Sequence, residues 1–80
     1  MFVYILYSAS ANKYYIGVSE NAECRLLKHN SKHKGFTSFV NDWVIKYLEH
    51  YTDKTDALKR EREIKNWKSR KMIEALISKG

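Results

Sequence analysis

The chain has 80 residues, a formal net charge of +6 and no proline. A chain of this length builds one core, so we expect a single domain over residues 1–80. Three glycines and one cysteine exclude long flexible linkers and an internal disulfide. The apolar run after Met1 is too short to span a membrane and lacks the features of a signal peptide, which predicts a cytoplasmic protein.

The start of the chain predicts an antiparallel β-hairpin. Two runs rich in β-branched and aromatic residues, 2–7 and 14–18, flank six small or polar residues. Each run contributes a tyrosine, Tyr4 and Tyr15, and Gly17 lies two residues beyond the second. A hairpin of this kind can simply build the core, and that alternative stays open.

Residues 22–30 predict a helix with Asn21 as its N-cap and Asn30 as a left-handed stop. Arg25 and His29 are four residues apart, so their side chains lie on one face of this helix. The ordinary explanation for such a pair is an exposed arginine and a histidine favoured by the helix dipole.

Residues 31–41 predict a mobile basic loop, because they lack periodicity and carry Lys32 and Lys34 beside Gly35. These two lysines are candidates for contacts with phosphate. Residues 43–51 alternate in part between apolar and polar positions and predict a third strand. We expect its aromatic side chains in the core or on the sheet rather than on a surface that stacks bases.

Two helices complete the predicted fold. The first covers residues 56–67, with Thr55 as its cap. Its predicted core stripe consists of Ala57, Leu58, Ile64 and either Trp67 or Lys68. The spacing places Glu61 on this stripe, where a carboxylate is costly unless it meets a metal, hydrogen-bond donors or a cation such as a nearby arginine. The second helix covers residues 69–78, begins at Ser69 and closes over the sheet.

The last two helices carry most of the positive charge. Residues 59–71 contain seven lysines and arginines against two glutamates, and a polyanion is the natural partner of such a surface. A solvated helix surface without a ligand is the alternative, and an anionic membrane is disfavoured because the core uses the apolar residues. The cations expected to contact nucleic acid here are Arg60, Lys65, Lys68, Arg70 and Lys71.

Together these elements predict an α+β domain in which the hairpin and one later strand form a three-stranded antiparallel sheet, flanked by about three helices. Its polar residues resemble the GIY-YIG endonuclease family in order and spacing, and most closely the small single-domain members similar to the nuclease domain of the bacterial excision-repair endonuclease. The residues that carry the resemblance are Tyr4, Tyr15, Ile16, Gly17, Arg25, His29 and Glu61. The first half-motif keeps only its tyrosine, and Asn66 is too close to Glu61 to be the later asparagine of larger members.

The resemblance implies hydrolysis of DNA phosphodiester bonds with Mg²⁺ or Mn²⁺, by a structure-selective endonuclease of repair or recombination. In that family Glu61 would hold the metal and Arg25 would clamp the phosphate. Tyr4 would be the base for the attacking water, with Tyr15 and His29 aligning it or relaying the proton.

Gly17 is expected to matter because a side chain there would obstruct the backbone or the substrate. RNA is an alternative substrate, and a homodimer or a partner protein could supply specificity. Two alternative functions are not enzymatic: a nucleic-acid-binding module that has lost catalysis, and a protein-interaction domain that does not bind nucleic acid. Neither a zinc cluster nor a phosphate loop competes in this sequence.

Overall fold

A computed structural model of the chain describes residues 1–30 and 42–79. The elements in order are β1 (Phe2–Ser8), β2 (Lys13–Ser19), α1 (Ala22–Asn30), β3 (Trp43–His50), α2 (Lys54–Asn66) and α3 (Arg70–Lys79). The predicted α+β arrangement, with a three-stranded antiparallel sheet and three helices, is confirmed for these residues. The loop predicted at 31–41 lies outside the described residues. Within the described ranges, no helix is long and apolar enough to cross a membrane.

Strand β1 is the central strand of the sheet, whose order is β2-β1-β3 with both pairs antiparallel. Tyr4 pairs with Gly17 on one side and with Leu48 on the other. The buried apolar side chains of β1 are Val3, Tyr4, Ile5 and Leu6. Since side chains alternate between the faces of a strand, burial of four consecutive residues means that both faces of β1 are covered.

The two faces of the sheet pack against different helices. The cluster on the side of α2 and α3 has as its buried members Val3, Ile5, Ile16, Ala57 and Ile64. The cluster on the side of α1 has as its buried members Tyr4, Leu6, Ala22 and Trp43. The alternation along β1 therefore places Tyr4 on the face that α1 covers.

Two predicted helix caps are confirmed. The Asn21 side-chain oxygen accepts a hydrogen bond from the backbone N–H of Cys24 at 3.1 Å, at the start of α1. The Ser69 hydroxyl oxygen accepts one from the N–H of Met72 at 3.3 Å, at the start of α3. Both bonds satisfy donors that the first turn of a helix leaves without an intrahelical partner.

Three predictions about helix ends and the core are wrong. Helix α2 begins at Lys54 after Asp53, whose extended backbone makes it the N-cap, so Thr55 lies inside the first turn. Asn30 is not left-handed and is instead the last helical residue of α1. Leu58 is 39% exposed, because it points away from the stripe of α2 that faces the sheet.

The end of α2 shows which residue leaves the helix. Trp67 keeps a helical backbone, and Lys68 adopts a left-handed one with φ of 49°. This is the residue after the C-cap, where a left-handed conformation commonly ends a helix. Trp67, rather than Lys68, therefore occupies the predicted core position. It packs against the cluster beneath α2 and α3.

Candidate active site

The ring of Tyr4 lies directly against Gly17 of the neighbouring strand. A Cβ built at Gly17 would lie 2.5 Å from Cζ of Tyr4 and would also meet its hydroxyl oxygen. Tyr4 is only 2% exposed, so its ring has little space into which it could move. The structure therefore places the Tyr4 ring where any other residue at position 17 would put its side chain.

His29 lies beside the hydroxyl of Tyr4 in an aromatic setting. The hydroxyl oxygen of Tyr4 is 3.5 Å from Nε2 of His29. The ring centroids of Tyr15 and His29 are 4.5 Å apart, and that of Trp43 is 6.4 Å from each of them. These rings hold the imidazole at the end of α1 in a defined position next to the phenol.

Asn30 joins the end of α1 to the start of β3. Its side-chain nitrogen donates to the carbonyl of Trp43 at 3.0 Å, and its side-chain oxygen accepts from the N–H of Trp43 at 2.7 Å. The side chain thus binds both backbone groups of a residue that is 2% exposed. This pair of hydrogen bonds anchors the last turn of α1, which carries His29.

The charge state of Tyr4 depends on its surroundings. Burial raises the pKa of Tyr4 to about 12, and the neighbouring Tyr15 contributes to the increase. The guanidinium of Arg25 opposes this rise in the pKa through its charge and a hydrogen bond, while the charge of Glu61 adds to it. Tyr4 is therefore a neutral phenol at pH 7, within electrostatic reach of a cation and a carboxylate.

Glu61 lies on α2 and acts on Tyr4 through its charge. Its side chain is 21% exposed and pairs with Nζ of Lys65 at 3.7 Å. The arginine partner considered from the sequence is wrong, since Arg60 binds Glu49 and Glu63 instead. A long, partly exposed pair of this kind holds its carboxylate weakly, so Glu61 stays able to bind another cation.

The donor set around Glu61 suits a hard divalent cation. Within residues 1–30 and 42–79 there is no group of three His, Cys, Asp or Glu side chains that could enclose a metal. Mg²⁺ and similar ions take oxygen ligands, keep several waters and are often held by one or two carboxylates. A single partly exposed carboxylate, paired weakly with Lys65, fits that mode of binding.

The cations predicted to contact nucleic acid occupy different places. Those that line a pocket beside β2 are Lys65, Lys68 and Arg70. Arg60 is held by the carboxylate of Glu49, through Nε at 3.0 Å and Nη2 at 3.2 Å. Lys71 is exposed on α3, and Lys32 and Lys34 lie outside the described residues.

Two residues with a place in this region were missed from the sequence. Lys13 lines the same pocket as Lys65, Lys68 and Arg70. Its position directly before Tyr14 and Tyr15 could have indicated a place near the site. Asn30 anchors α1 through the backbone of Trp43, but an asparagine at a helix end indicates a cap far more often than a long-range bond.

Comparison with known proteins agrees with the sequence resemblance. The GIY-YIG catalytic domain family matches residues 1–74. A UPF0213 protein of Staphylococcus epidermidis is 34% identical over 80 residues, which cover 99% of this chain and 95% of that protein. A UPF0213 protein of Staphylococcus haemolyticus is 35% identical over 77 residues, which cover 91% of this chain and 93% of that protein. A UPF0213 protein of Staphylococcus saprophyticus is 36% identical over 67 residues, which cover 82% of this chain and 80% of that protein. No solved structure matches the chain significantly. The chain therefore belongs to the GIY-YIG catalytic domain family.

Proposed function

We propose that the protein is an endonuclease that hydrolyses phosphodiester bonds in DNA with Mg²⁺ or Mn²⁺. The observation that carries this proposal is that three side chains of different chemistry act on Tyr4, one at 3.5 Å from its hydroxyl and two through their influence on its pKa. They are Arg25, His29 and Glu61. A cation can bind the phosphate, an imidazole can take a proton and a carboxylate can hold a metal, and each of these roles accelerates phosphodiester hydrolysis.

The pKa of Tyr4 determines how this residue can act as a base. Because that pKa is raised to about 12, very little phenolate exists at pH 7. We therefore assign Tyr4 to a relay, in which its oxygen takes a proton from the attacking water while its own proton passes to Nε2 of His29, 3.5 Å away. The relay uses the histidine tautomer with an unprotonated Nε2, and Tyr15 keeps that ring in place.

Arg25 is assigned to the phosphate. Its side chain is exposed on α1, yet its guanidinium is close enough to the Tyr4 hydroxyl to lower the pKa of that phenol. A planar guanidinium can bind two phosphate oxygens at once, and the attraction grows as negative charge develops in the transition state. Arg25 would thus hold the phosphate next to the group that activates the water.

Glu61 is assigned to the metal, together with water ligands. The bound cation would supply charge neutralisation at the leaving oxygen. Gly17 supports the site indirectly, since it leaves the space in which the Tyr4 ring lies. We further propose that the substrate is DNA with a flap or branch, met in the cytoplasm during repair or recombination, and that a second copy or a partner protein extends the footprint.

The test is a cleavage assay on labelled single-stranded, duplex, flap and branched DNA and on matched RNA, with Mg²⁺ or Mn²⁺ against EDTA. The variants are Arg25→Ala, Glu61→Gln and Tyr4→Phe, each expected to lower the cleavage rate by about 10²-fold or more. Glu63→Gln is the matched control, because Glu63 is an exposed acid on the same helix and pairs with Arg60. Direct titration with Mn²⁺ should show weaker binding to Glu61→Gln alone among these proteins.

Two results would overturn the proposal. If the wild type and all variants bind DNA alike and none cuts any substrate, the protein is a binding module with the fold of a nuclease. If cleavage persists in EDTA or in Glu61→Gln, the metal assignment is wrong even though the protein is a nuclease.

A further inference from the structure

A basic feature lies on the face of the sheet that α2 and α3 cover. A cavity of about 430 Å³ opens between β2 and the junction of α2 with α3. We call it the basic pocket, because its lining among the described residues includes four cationic side chains and no carboxylate. These side chains are Lys13, Lys65, Lys68 and Arg70.

Arg70 holds the walls of the basic pocket together. Its Nη1 donates to the carbonyl of Asn12 at 3.0 Å and its Nη2 donates to the Asn12 side-chain oxygen at 2.6 Å. Its guanidinium also lies 5.1 Å from the ring centroid of Tyr14. These contacts join the turn of the hairpin to the start of α3, so that Lys13 and Lys68 line one cavity although they are far apart in the sequence.

One ion pair connects the basic pocket to a residue of the candidate active site. Glu61 pairs with Lys65, which lines the pocket. Lys65 follows Glu61 by four residues on the same face of α2, and Lys68 lies just beyond the end of that helix. At 1.5 Å per helical residue, Glu61 and Lys65 are about 6 Å apart along the axis of α2.

We propose that the basic pocket binds the phosphodiester backbone of the strand that occupies the active site, to one side of the bond to be cut. The inference rests on the proposed function, because it requires a nucleic-acid strand at Tyr4 and Glu61. Ammonium groups recognise phosphates without regard to base, so the pocket positions the strand and does not read its sequence.

The first experiment measures binding without cleavage. Fluorescence anisotropy in EDTA follows a single-stranded DNA oligonucleotide of 20 nucleotides bound to the wild type and to Lys13→Ala/Lys68→Ala. The matched control is Lys46→Ala/Lys54→Ala, which removes the same charge from two exposed lysines that do not line the pocket. We expect the pocket variant to bind roughly tenfold more weakly, with the slope of log K against log salt reduced by about 1.4. The control should change binding less than twofold, and circular dichroism should show both variants folded.

The second experiment locates the phosphates. Oligonucleotides that end at the mapped cleavage position are compared with ones that extend six nucleotides beyond it in the 5′ or the 3′ direction. The pocket variant should lose affinity only for strands extended in one of these directions. An equal loss for every oligonucleotide would show that the lysines act through general charge, which overturns the inference.

The outcomes separate this inference from the proposed function. If the wild type cuts DNA with Mg²⁺ while the pocket and control variants bind alike, the nuclease stands and the pocket is refuted. If no protein cuts but the pocket variant alone loses affinity and salt dependence, the pocket binds phosphate in a binding module, and both the nuclease and the position relative to a cut bond are refuted.

Discussion

Replacement of Gly17 by alanine tests the packing on which the candidate site depends. The added methyl group would lie 2.5 Å from Cζ of Tyr4, well inside van der Waals contact. The Tyr4 ring is almost fully buried, and its hydroxyl faces His29, so it cannot move without disturbing its neighbours. Either the ring or β2 must shift to accept the methyl group.

Overpacking of a well-packed core costs about 1–3 kcal/mol, and we expect Gly17→Ala to lower the free energy of unfolding by that amount. Urea denaturation followed by tryptophan fluorescence measures the loss. Cleavage should fall as well, since displacement of the Tyr4 hydroxyl by even about 1 Å can cost about 10²-fold in rate. The variant should remain folded at 25 °C, so that both quantities can be measured on one preparation.

A double-mutant cycle identifies the cause of the loss. Tyr4→Leu removes the ring atoms that the new methyl group would meet, and Gly17→Ala in that background should be neutral or stabilising, because alanine loses less backbone entropy than glycine on folding. The cycle compares only the free energies of unfolding of the wild type, the two single variants and the double variant. If Gly17→Ala costs the same with tyrosine and with leucine at position 4, the close contact is not the cause and the reasoning is refuted.

Two further predictions concern stability. Asn30→Ala removes both hydrogen bonds to the backbone of Trp43 and should cost about 1–3 kcal/mol in urea denaturation. Asn30→Asp should lose at least as much, because it places a carboxylate oxygen against the Trp43 carbonyl and a negative charge at the C-terminus of α1. Equal stability of Asn30→Ala and wild type would contradict the anchoring role. The raised pKa of Tyr4 predicts that stability falls as the pH rises from 10 to 12, because the unfolded chain releases a proton there that the fold retains. Wild type should lose up to about 3 kcal/mol more than Tyr4→Phe over this range, whereas parallel pH curves would show that Tyr4 titrates normally.

Local patterns predict most of the fold. Residues 22–30 form α1 with Asn21 as its cap, as its sequence indicates, because a cap and a helical face involve side chains only three or four residues apart. The hairpin and the third strand follow from alternation along short runs. The cap of α2 was mispredicted because Thr55 and Asp53 are both favourable caps, and only the extended backbone of Asp53 distinguishes them.

The family and its seven motif residues can also be named from order and spacing, since each half-motif is local. The spacing of the motif residues in the sequence does not show which of their atoms are in contact. Tyr4 and Gly17 face each other because of the register of β1 and β2, and the pairing of Glu61 with Lys65 depends on side-chain positions on the surface of α2. The role of Asn30 depends on the approach of β3 to the end of α1.

The amino-acid order alone determines the α+β class, the caps of α1 and α3, the family and the concentration of positive charge near the C-terminus, because these depend on patterns within a few turns or strands. Three features required the folded chain: the Tyr4 ring covers Gly17, its pKa is raised to about 12, and Lys13 joins Lys65 and Lys68 in one pocket. Burial, strand register and the packing of helices against the sheet bring together residues distant in the chain, and no local pattern records those distances.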